Sequence, residues 1–272
     1  MFESNQLPVF QTISAVCTTP WKDSKAATAR ARVAADFFQI SFVKRKDRSV
    51  AQVLKDENCS AVVVMNQAPA IYHENAVETP LFFHPNMASQ RILRMQRGES
   101  DRLIEYAGIR EGDTAIDATL GLGADSIVLA SAVGKSGKVI SIESVDILYH
   151  LFRYALVYGH PKYREINKFL SRIELVLTNH EYFLLQQDSN SVDVVYFDPM
   201  FRMPRTNSAA FDPIRSFADA SAISETAFYH AKRVARKCVI IKERSHAEVF
   251  EQFHLGIDKQ SGSISYGIWR KE

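Results

Sequence analysis

The sequence has few cysteines and no long apolar run. Its three cysteines, Cys17, Cys59 and Cys238, are isolated and lack the spacing of metal ligands, which argues against a disulfide framework and a zinc site. Apolar stretches such as Ala61–Met65 are far shorter than the roughly 20 residues of a membrane span. The first residues do not form a basic and then apolar signal segment. We therefore expect a cytoplasmic protein with no membrane partner.

An excess of charge of one sign and two common catalytic signatures are also missing. The chain of 272 residues has 33 Lys and Arg against 31 Asp and Glu, a net charge of +2, which alone does not indicate a nucleic-acid partner. The hydrolase signature Gly-x-Ser-x-Gly does not occur, and the histidines lack metal-ligand spacing, so we expect no metal. With 46% hydrophobic residues, the chain can form one large domain and a smaller one.

What is present is a glycine-containing turn between an apolar strand and a helix. The strand ends at Asp117, and Gly121 and Gly123 then allow backbone N–H groups to approach a ligand. A second apolar strand ends at Glu143, about 20 residues further on, where a carboxylate can accept hydrogen bonds from both hydroxyls of a ribose. This arrangement predicts a nucleoside-binding site.

The turn also indicates which nucleoside is bound. It lacks the third glycine that lets a dinucleotide pyrophosphate rest on the helix, and Asp125 near the helix start would repel a pyrophosphate. Asp117 and Asp125 instead suit a ligand with an ammonium group and a sulfonium, so S-adenosyl-L-methionine fits better than NAD. The pattern Asp-x-Thr-x-Gly-x-Gly resembles the first motif of class I S-adenosylmethionine-dependent methyltransferases, and Glu143 matches their ribose-binding acid.

Residues 86–272 alternate strand-like and helix-like segments, the pattern of a parallel sheet covered on both faces. A helix is predicted over Ile147–Gly159, and an antiparallel hairpin from Phe250–Ile257 and Ile264–Trp269. We therefore predict an α/β, Rossmann-like class I methyltransferase sheet, parallel with a C-terminal antiparallel hairpin. Its five parallel strands are placed at Thr114–Ala118, Lys138–Glu143, Arg172–Leu177, Val192–Phe197 and Cys238–Lys242.

Residues 1–85 are predicted to form a separate small α/β domain that positions substrate. An Ala-rich helix is expected near Ser24–Ala35, and a helix over about Met87–Tyr106 should connect this domain to the catalytic one. The strand-like pieces of the small domain are Val9–Val16, Gln39–Val43, Ala61–Met65 and Leu81–Phe83.

The segment Asp198-Pro199-Met200-Phe201 ends the fourth predicted strand, at the carboxyl edge where functional residues are expected. It resembles the Asp/Asn-Pro-Pro-Tyr/Phe motif of methyltransferases that modify exocyclic amino groups of nucleobases. The lone pair of such a nitrogen is delocalised into the ring, so the amino group needs its hydrogens held. The Asp198 carboxylate and the Pro199 carbonyl can accept those hydrogens, and the Phe201 ring can stack on an extruded base. These three residues are the predicted catalytic group.

Taken together, the motifs resemble the RsmJ-like family of 16S ribosomal RNA guanine-N2 methyltransferases. The similarity covers most of residues 80–272 and rests on residues 117–125, Ile142-Glu143, residues 193–201 and Val239-Ile-Ile-Lys242. The chain departs from the family after Phe201, where it continues with Arg202-Met-Pro-Arg205 instead of proline and a lysine-rich segment. The resemblance implies a cofactor pocket lined by Ala124, Asp125, Glu143, Ser144, Asn179, His180 and Asp198.

Local clusters of positive charge suit binding to the phosphates of RNA, and the resemblance implies that this RNA is ribosomal RNA or part of a ribosomal subunit. Two alternatives stay open: a methyltransferase for a small molecule or a protein carboxylate, and a non-catalytic nucleoside- or RNA-binding module. The sequence does not indicate the oligomeric state. The predicted RNA-binding residues are Lys44, Arg45, Lys46, Arg48, Arg91, Arg94 and Arg202.

Overall fold

The structure, a computed structural model, describes residues 10–22, 24–199, 213–217, 221–257 and 262–272. These residues form two β-sheets with helices packed against them. None of the described helices combines the length and the apolar character needed to cross a bilayer. Phe201 and Arg202 lie outside the described residues, as do Met200 and Arg205.

The N-terminal sheet has five strands in the order β2-β1-β3-β4-β5. The first three strands run parallel, whereas β4 and β5 are added antiparallel. The predicted segment Ala61–Met65 is the central strand β3, and all five of its residues are buried. The bounds of the strands are Ala15–Thr18 for β1, Ser41–Phe42 for β2, Ala61–Met65 for β3, Pro69–His73 for β4 and Ala76–Leu81 for β5.

Helices α1 (Lys25–Phe38) and α2 (Val50–Asp56) accompany this sheet. The predicted helix near Ser24–Ala35 is α1, and Ser24 is its N-cap because its side chain accepts a hydrogen bond from Ala27 N–H. Two strand predictions are corrected. The last strand spans Ala76–Leu81 rather than Leu81–Phe83, and β4 was not predicted because Pro69 at its start reads as a turn signal.

The predicted connecting helix over Met87–Tyr106 is two helices, α3 (Asn86–Gln96) and α4 (Arg102–Ala107). The break has a local cause. Gly98 has a φ of 87°, which ends α3, and the Asp101 side chain then accepts hydrogen bonds from two backbone N–H groups at the start of α4.

The C-terminal sheet has seven strands, and its predicted class is confirmed. Strands β6 to β10 run parallel to one another, β12 is antiparallel to β10, and β11 pairs antiparallel with β12 at the edge. The order is β11-β12-β10-β9-β6-β7-β8. The bounds are Thr114–Asp117 for β6, Lys138–Glu143 for β7, Ile173–Leu177 for β8, Val192–Phe197 for β9, Ala235–Arg244 for β10, Gly256–Ile257 for β11 and Ile264–Arg270 for β12.

Helices cover both faces of this sheet and enclose two buried apolar clusters. The predicted hairpin needs one correction, because most of Phe250–Ile257 is not strand. Phe250 lies in a short helix and, with Leu255, packs over Gly267 of β12, which leaves only Gly256–Ile257 to pair. The helices are α5 (Ala124–Ala132), α6 (Asp146–Tyr158), α7 (Arg164–Leu170), α8 (His180–Gln186), α9 (Glu225–Val234) and α10 (Val249–Gln252).

The N-terminal sheet packs beside the carboxyl edge of β7. Gln11 N–H donates to the Ser144 carbonyl at 2.6 Å, and Asp146 N–H donates back to the Gln11 carbonyl at 3.0 Å. On the same side, the His73 ring meets the Phe217 ring edge-on at 4.9 Å. The N-terminal part of the chain therefore contacts the loop that directly follows Glu143.

Candidate active site

The turn after β6 has the backbone conformation that its glycines predict. Gly121 and Gly123 have φ values of 55° and 75°, which side-chain-bearing residues rarely adopt. Gly123 is also sterically required, because a Cβ there would lie 2.0 Å from the Phe152 ring, whereas at Gly121 the nearest atom would be 3.5 Å away. The chain can therefore pass close over α6 and begin α5 at Ala124.

Glu143 ends β7 with a buried carboxylate that three backbone N–H groups approach. Oε2 accepts from Gly121 at 3.0 Å, and Oε1 accepts from Ser144 and Val145, both at 3.0 Å. Burial raises the pKa of Glu143 to about 7, against the opposing effect of these bonds. Since a carboxylate offers about four lone-pair positions, about one remains for a ligand. On this count we expect Glu143 to bind one ribose hydroxyl, whereas the sequence led us to expect two.

The buried Asp117 side chain stabilises the turn after β6 through hydrogen bonds. Its Oδ1 accepts from Thr119 N–H at 3.2 Å and its Oδ2 accepts from the Ser126 hydroxyl, which also lies 2.7 Å from the Ser141 hydroxyl. Burial raises the pKa of Asp117 to about 6. The side chain thus orders the turn and, among the described residues, is not part of the cavity lining.

Asp125 also faces away from the cavity. Its carboxylate accepts from the Arg91 guanidinium, from the Tyr196 hydroxyl at 2.9 Å and from the Lys242 ammonium at 3.2 Å. Despite burial, these two cations hold the pKa of Asp125 well below its usual range. The prediction that Asp125 meets the cationic part of the ligand is not supported by this placement, because protein cations already surround the carboxylate.

A cavity opens where β6, β7, β8 and β9 end. Its polar lining includes the predicted residues Glu143, Ser144, His180 and Asp198, and Gly121 and Pro199 also reach it. Gly123, Ala124 and Asn179 are absent from the described lining; Asn179 instead caps α8, its Oδ1 accepting from Glu181 N–H at 2.8 Å. The lining residues that sequence reasoning missed are Ala118, Thr119, Ile142, Leu148, Thr178, Ile214, Ser221 and Ile223.

Asp198 directly follows β9 and is held at both ends. Its backbone N–H donates to the Thr119 hydroxyl at 2.6 Å, and its Oδ2 accepts from Lys242 Nζ at 2.6 Å. Burial raises the pKa of Asp198 to about 7, although the Lys242 charge acts in the opposite direction. Lys242 was not predicted as a site residue. The signal that could have identified it is its position at the end of the apolar run Val239-Ile-Ile on a central strand.

A second, wider cavity of about 810 Å³ meets the first at Pro199, Ser221 and Ile223. Its walls come from residues 243–249, which comprise the end of β10 and the segment after it, and from Gly262 and Ser263 before β12. The volume lies within the range of small-molecule sites, roughly 300–1,000 Å³. Asp198 and Pro199 therefore stand near the junction of two cavities, as expected for a group that acts between two ligands.

The structure corrects three of the predicted RNA-binding residues. Arg91 is mostly buried and donates two hydrogen bonds to Asp101, at 2.7 and 2.9 Å, besides its contact with Asp125. Arg45 is buried and donates to the Thr19 carbonyl. Arg48 is paired with two carboxylates on α2 and its end. Each guanidinium is therefore already neutralised or enclosed. Among the predicted basic residues that the structure describes, Lys44, Lys46 and Arg94 are exposed.

Comparison with known proteins gives the family. Residues 30–270 match the family described as "Putative SAM-dependent methyltransferase". The chain belongs to this family. The protein YpiP of Bacillus subtilis (strain 168) is 33% identical over 252 residues, which are 92% of this chain and 97% of that protein.

Two further similarities agree with this assignment. Ribosomal RNA small subunit methyltransferase J of Actinobacillus pleuropneumoniae serotype 3 (strain JL03) is 33% identical over 174 residues, 61% of this chain and 66% of that protein. The crystal structure of the SAM-dependent methyltransferase NGO1261 from Neisseria gonorrhoeae matches with a TM-score of 0.59 at 15% identity, covering 94% of this chain and 96% of that one. At this identity the structural match shows the fold alone.

The protein is therefore a class I S-adenosylmethionine-dependent methyltransferase that resembles RsmJ, and S-adenosyl-L-methionine is its cofactor. The residues present fit that cofactor. Glu143 has about one acceptor position that its three backbone hydrogen bonds leave open, apolar side chains such as Ile142 and Leu148 line the cavity between polar groups, and Asp198 adds a second carboxylate to the same lining.

Proposed function

We propose that the enzyme methylates an exocyclic amino group of an RNA base, with guanine N2 of ribosomal RNA as the leading candidate. The observation that carries this proposal is the position of Pro199 where the cofactor cavity meets the wider second cavity, with Asp198 next to it in the lining of the cofactor cavity. The similarity to the ribosomal RNA methyltransferase of Actinobacillus supports ribosomal RNA as the substrate class. Such a substrate implies a cytoplasmic enzyme and transient contact with RNA or a ribosomal subunit.

The residues at this junction have roles that follow from the chemistry of an aromatic amine. S-adenosyl-L-methionine, when bound, supplies a methyl group made electrophilic by a sulfonium. The Asp198 carboxylate and the Pro199 carbonyl accept the two amino hydrogens, which holds the nitrogen and strengthens its lone pair as a nucleophile. The N–C bond forms as the C–S bond breaks with its electrons left on sulfur. One amino proton passes to Asp198 and from there to water.

The two parts of the chain have separate proposed tasks. Residues 86–272 hold the cofactor and the reacting groups, whereas residues 1–85 position RNA. Of the predicted RNA-binding residues that the structure describes, Lys44, Lys46 and Arg94 are exposed and can contact phosphates. Arg202 and Phe201, which lie outside the described residues, keep their proposed roles of phosphate contact and base stacking.

A small-molecule acceptor is the competing proposal. The observation in its favour is the enclosure of Arg45, Arg48 and Arg91, which removes three of the predicted phosphate ligands from the surface. Labelled methyl transfer from S-adenosyl-L-methionine distinguishes the two. The purified enzyme is incubated with small-subunit ribosomal RNA, with the assembled subunit, and with a nucleic-acid-free extract of small molecules, and Asp198→Ala serves as the inactive control.

The RNA proposal predicts label in RNA or the subunit, recovered as an N-methylated purine nucleoside, and none with Asp198→Ala. Label confined to the small-molecule fraction would contradict it. Equal transfer by Asp198→Ala would contradict the role of the carboxylate whichever acceptor is labelled.

A further inference from the structure

A chain of buried charges runs from the connecting helices to Asp198. Arg91 on α3 pairs with Asp101, the N-cap of α4, and with Asp125 on α5. Lys242 on β10 lies between the Asp125 and Asp198 carboxylates, with its Nζ 3.2 Å from the first and 2.6 Å from the second. The side chains of all five residues are at most one quarter exposed.

The cluster combines three carboxylates with two cations, so the ionisation of each carboxylate depends on the charges of the others. Asp101 and Asp125 are the most enclosed carboxylates, with side-chain exposures of 9% and 10%, whereas Asp198 is 25% exposed and faces the cavities. Buried carboxylates this close to one another cannot all stay ionised without cations between them. Lys242 is the cation that directly contacts the carboxylate at the proposed reaction site.

We propose that Lys242 is a positioning residue, which favours the ionised form of Asp198 and binds its Oδ2 so that Oδ1 faces the acceptor amino group. Arg91 supports this arrangement from behind, because it holds Oδ1 of Asp125 while Oδ2 of Asp125 faces Lys242. The link to the acceptor amino group rests on the proposed function; the control of Asp198 ionisation does not. A protonated Asp198 would present an O–H donor and weaker acceptors, and it could not take up the proton released on methylation.

Other titratable groups face the cluster from the surrounding strands. Tyr196 on β9 and Tyr266 on β12 both have pKa values raised by burial, that of Tyr266 to about 12, so both stay neutral. Arg102 lies 5.0 Å from the Tyr266 ring and carries a constant charge. Asp117 on β6 has its pKa raised by burial to about 6. Lys242 lowers the pKa values of Asp117, Asp125 and Asp198, and of these carboxyl groups Asp198 is the one that titrates nearest to pH 7.

The same strand supplies a matched control. Lys237 lies at the other end of β10, and its Nζ contacts the Asp113 carboxylate at 2.6 and 2.7 Å, as close as the contact of Lys242 with Asp198. Replacing Lys237 breaks a lysine–aspartate pair in the same strand without touching the proposed site. The Lys237 variant therefore shows what the loss of such a pair does to the structure alone.

The test measures the ionisation of Asp198 directly. The carboxyl carbon is followed by NMR titration of protein labelled with 13C at aspartate, and its signal is assigned by its loss in Asp198→Asn. Lys242→Met should move the titration of Asp198 upward by about one to three pH units. Lys242→Arg should restore it, and Lys237→Met should leave it unchanged. If Lys242→Met does not fold, Lys242→Gln, which keeps a donor without its charge, takes its place.

Methyl transfer gives the second measurement. The acid limb of the kcat profile on the labelled acceptor should move with the Asp198 titration in Lys242→Met. A rise of one to three pH units from the pKa of about 7 lowers the ionised fraction at pH 7, and with it kcat, by roughly 5- to 500-fold, while KM for the acceptor changes little. An unchanged Asp198 titration in the Lys242 variants, or an equal shift in Lys237→Met, would overturn the inference. Absence of transfer to RNA by the wild-type enzyme would instead overturn the proposed function, and the NMR titration would still decide the role of Lys242.

Discussion

The number of hydrogen bonds that the Glu143 carboxylate already accepts determines how much its replacement should weaken cofactor binding. Three of about four acceptor positions are taken by backbone N–H groups, which leaves one for the cofactor ribose. Losing one charge-assisted hydrogen bond weakens binding by about 1.5–3 kcal/mol, or roughly 10- to 150-fold in Kd. We expect a loss in this range for S-adenosyl-L-methionine and for its demethylated product in Glu143→Gln.

Asp117→Asn is the matched control for Glu143→Gln. Both carboxylates are buried and hold the same turn, but only Glu143 lines the cavity among the described residues. Isothermal titration calorimetry should show the large affinity loss in Glu143→Gln alone, whereas chemical denaturation should show lower stability in both variants. Equal affinity losses in the two variants would mean that Glu143 acts only by ordering the turn.

Nucleoside analogues test whether the Glu143 carboxylate has a single free acceptor position. Because one acceptor position remains, Glu143 should couple to a single ribose hydroxyl. In a double-mutant cycle with adenosine, 2′-deoxyadenosine and 3′-deoxyadenosine, only one of the deoxy compounds should show coupling to Glu143→Gln, of about 1.5–3 kcal/mol. Coupling of similar size to both hydroxyls would refute the count and restore the two-hydroxyl contact.

Three other predictions follow from the described residues. Gly123→Ala should destabilise the fold more than Gly121→Ala by about 1–3 kcal/mol in chemical denaturation, because only the former drives a Cβ into Phe152; equal losses would contradict this. Burial lowers the pKa of His150 to about 4, and its Nδ1 has no hydrogen-bond partner in the described part of the chain, so the neutral ring contributes stability that is present above pH 6.5 and is lost as pH falls toward 4. His150→Phe should reduce that acid sensitivity in urea denaturation at pH 7, 5.5 and 4.5, and an unchanged pH dependence would refute the assignment. Charge reversal of Lys44, Lys46 and Arg94 together should weaken RNA binding and flatten its salt dependence, while cofactor affinity is retained. Unchanged RNA affinity would contradict the proposed surface.

The fold was largely predictable because its main signals are local. The segments Ala61–Met65, Lys138–Glu143 and Val192–Phe197 are strands with the predicted bounds, since continuous apolar runs between turn residues suit buried strands. The single helix predicted over Met87–Tyr106 was wrong because apolar spacing continues through the break. Gly98 and the Asp101 cap decide that break, and their effect outweighs the periodicity.

The site was predictable only in part, because its ion pairs join residues far apart in sequence. Arg91 resembles a surface cation until the fold brings it to Asp125, 34 residues away. Lys242 reaches Asp198 across 44 residues and was therefore missed. Glu143 and Asp198 were easier to find, because each directly ends a parallel strand at the edge where ligands bind. Their proposed contacts with cofactor and acceptor stay predictions.

The most direct test of the proposed function is mass spectrometry of nucleosides from small-subunit ribosomal RNA of cells with the gene, without it, and complemented with Asp198→Ala. We expect one N-methylated purine nucleoside, N2-methylguanosine as the leading candidate, to fall in the deletion strain, to return with the wild-type gene and to stay low with Asp198→Ala. Identical nucleoside profiles in all strains would contradict ribosomal RNA as the substrate, and restoration by Asp198→Ala would contradict the mechanism.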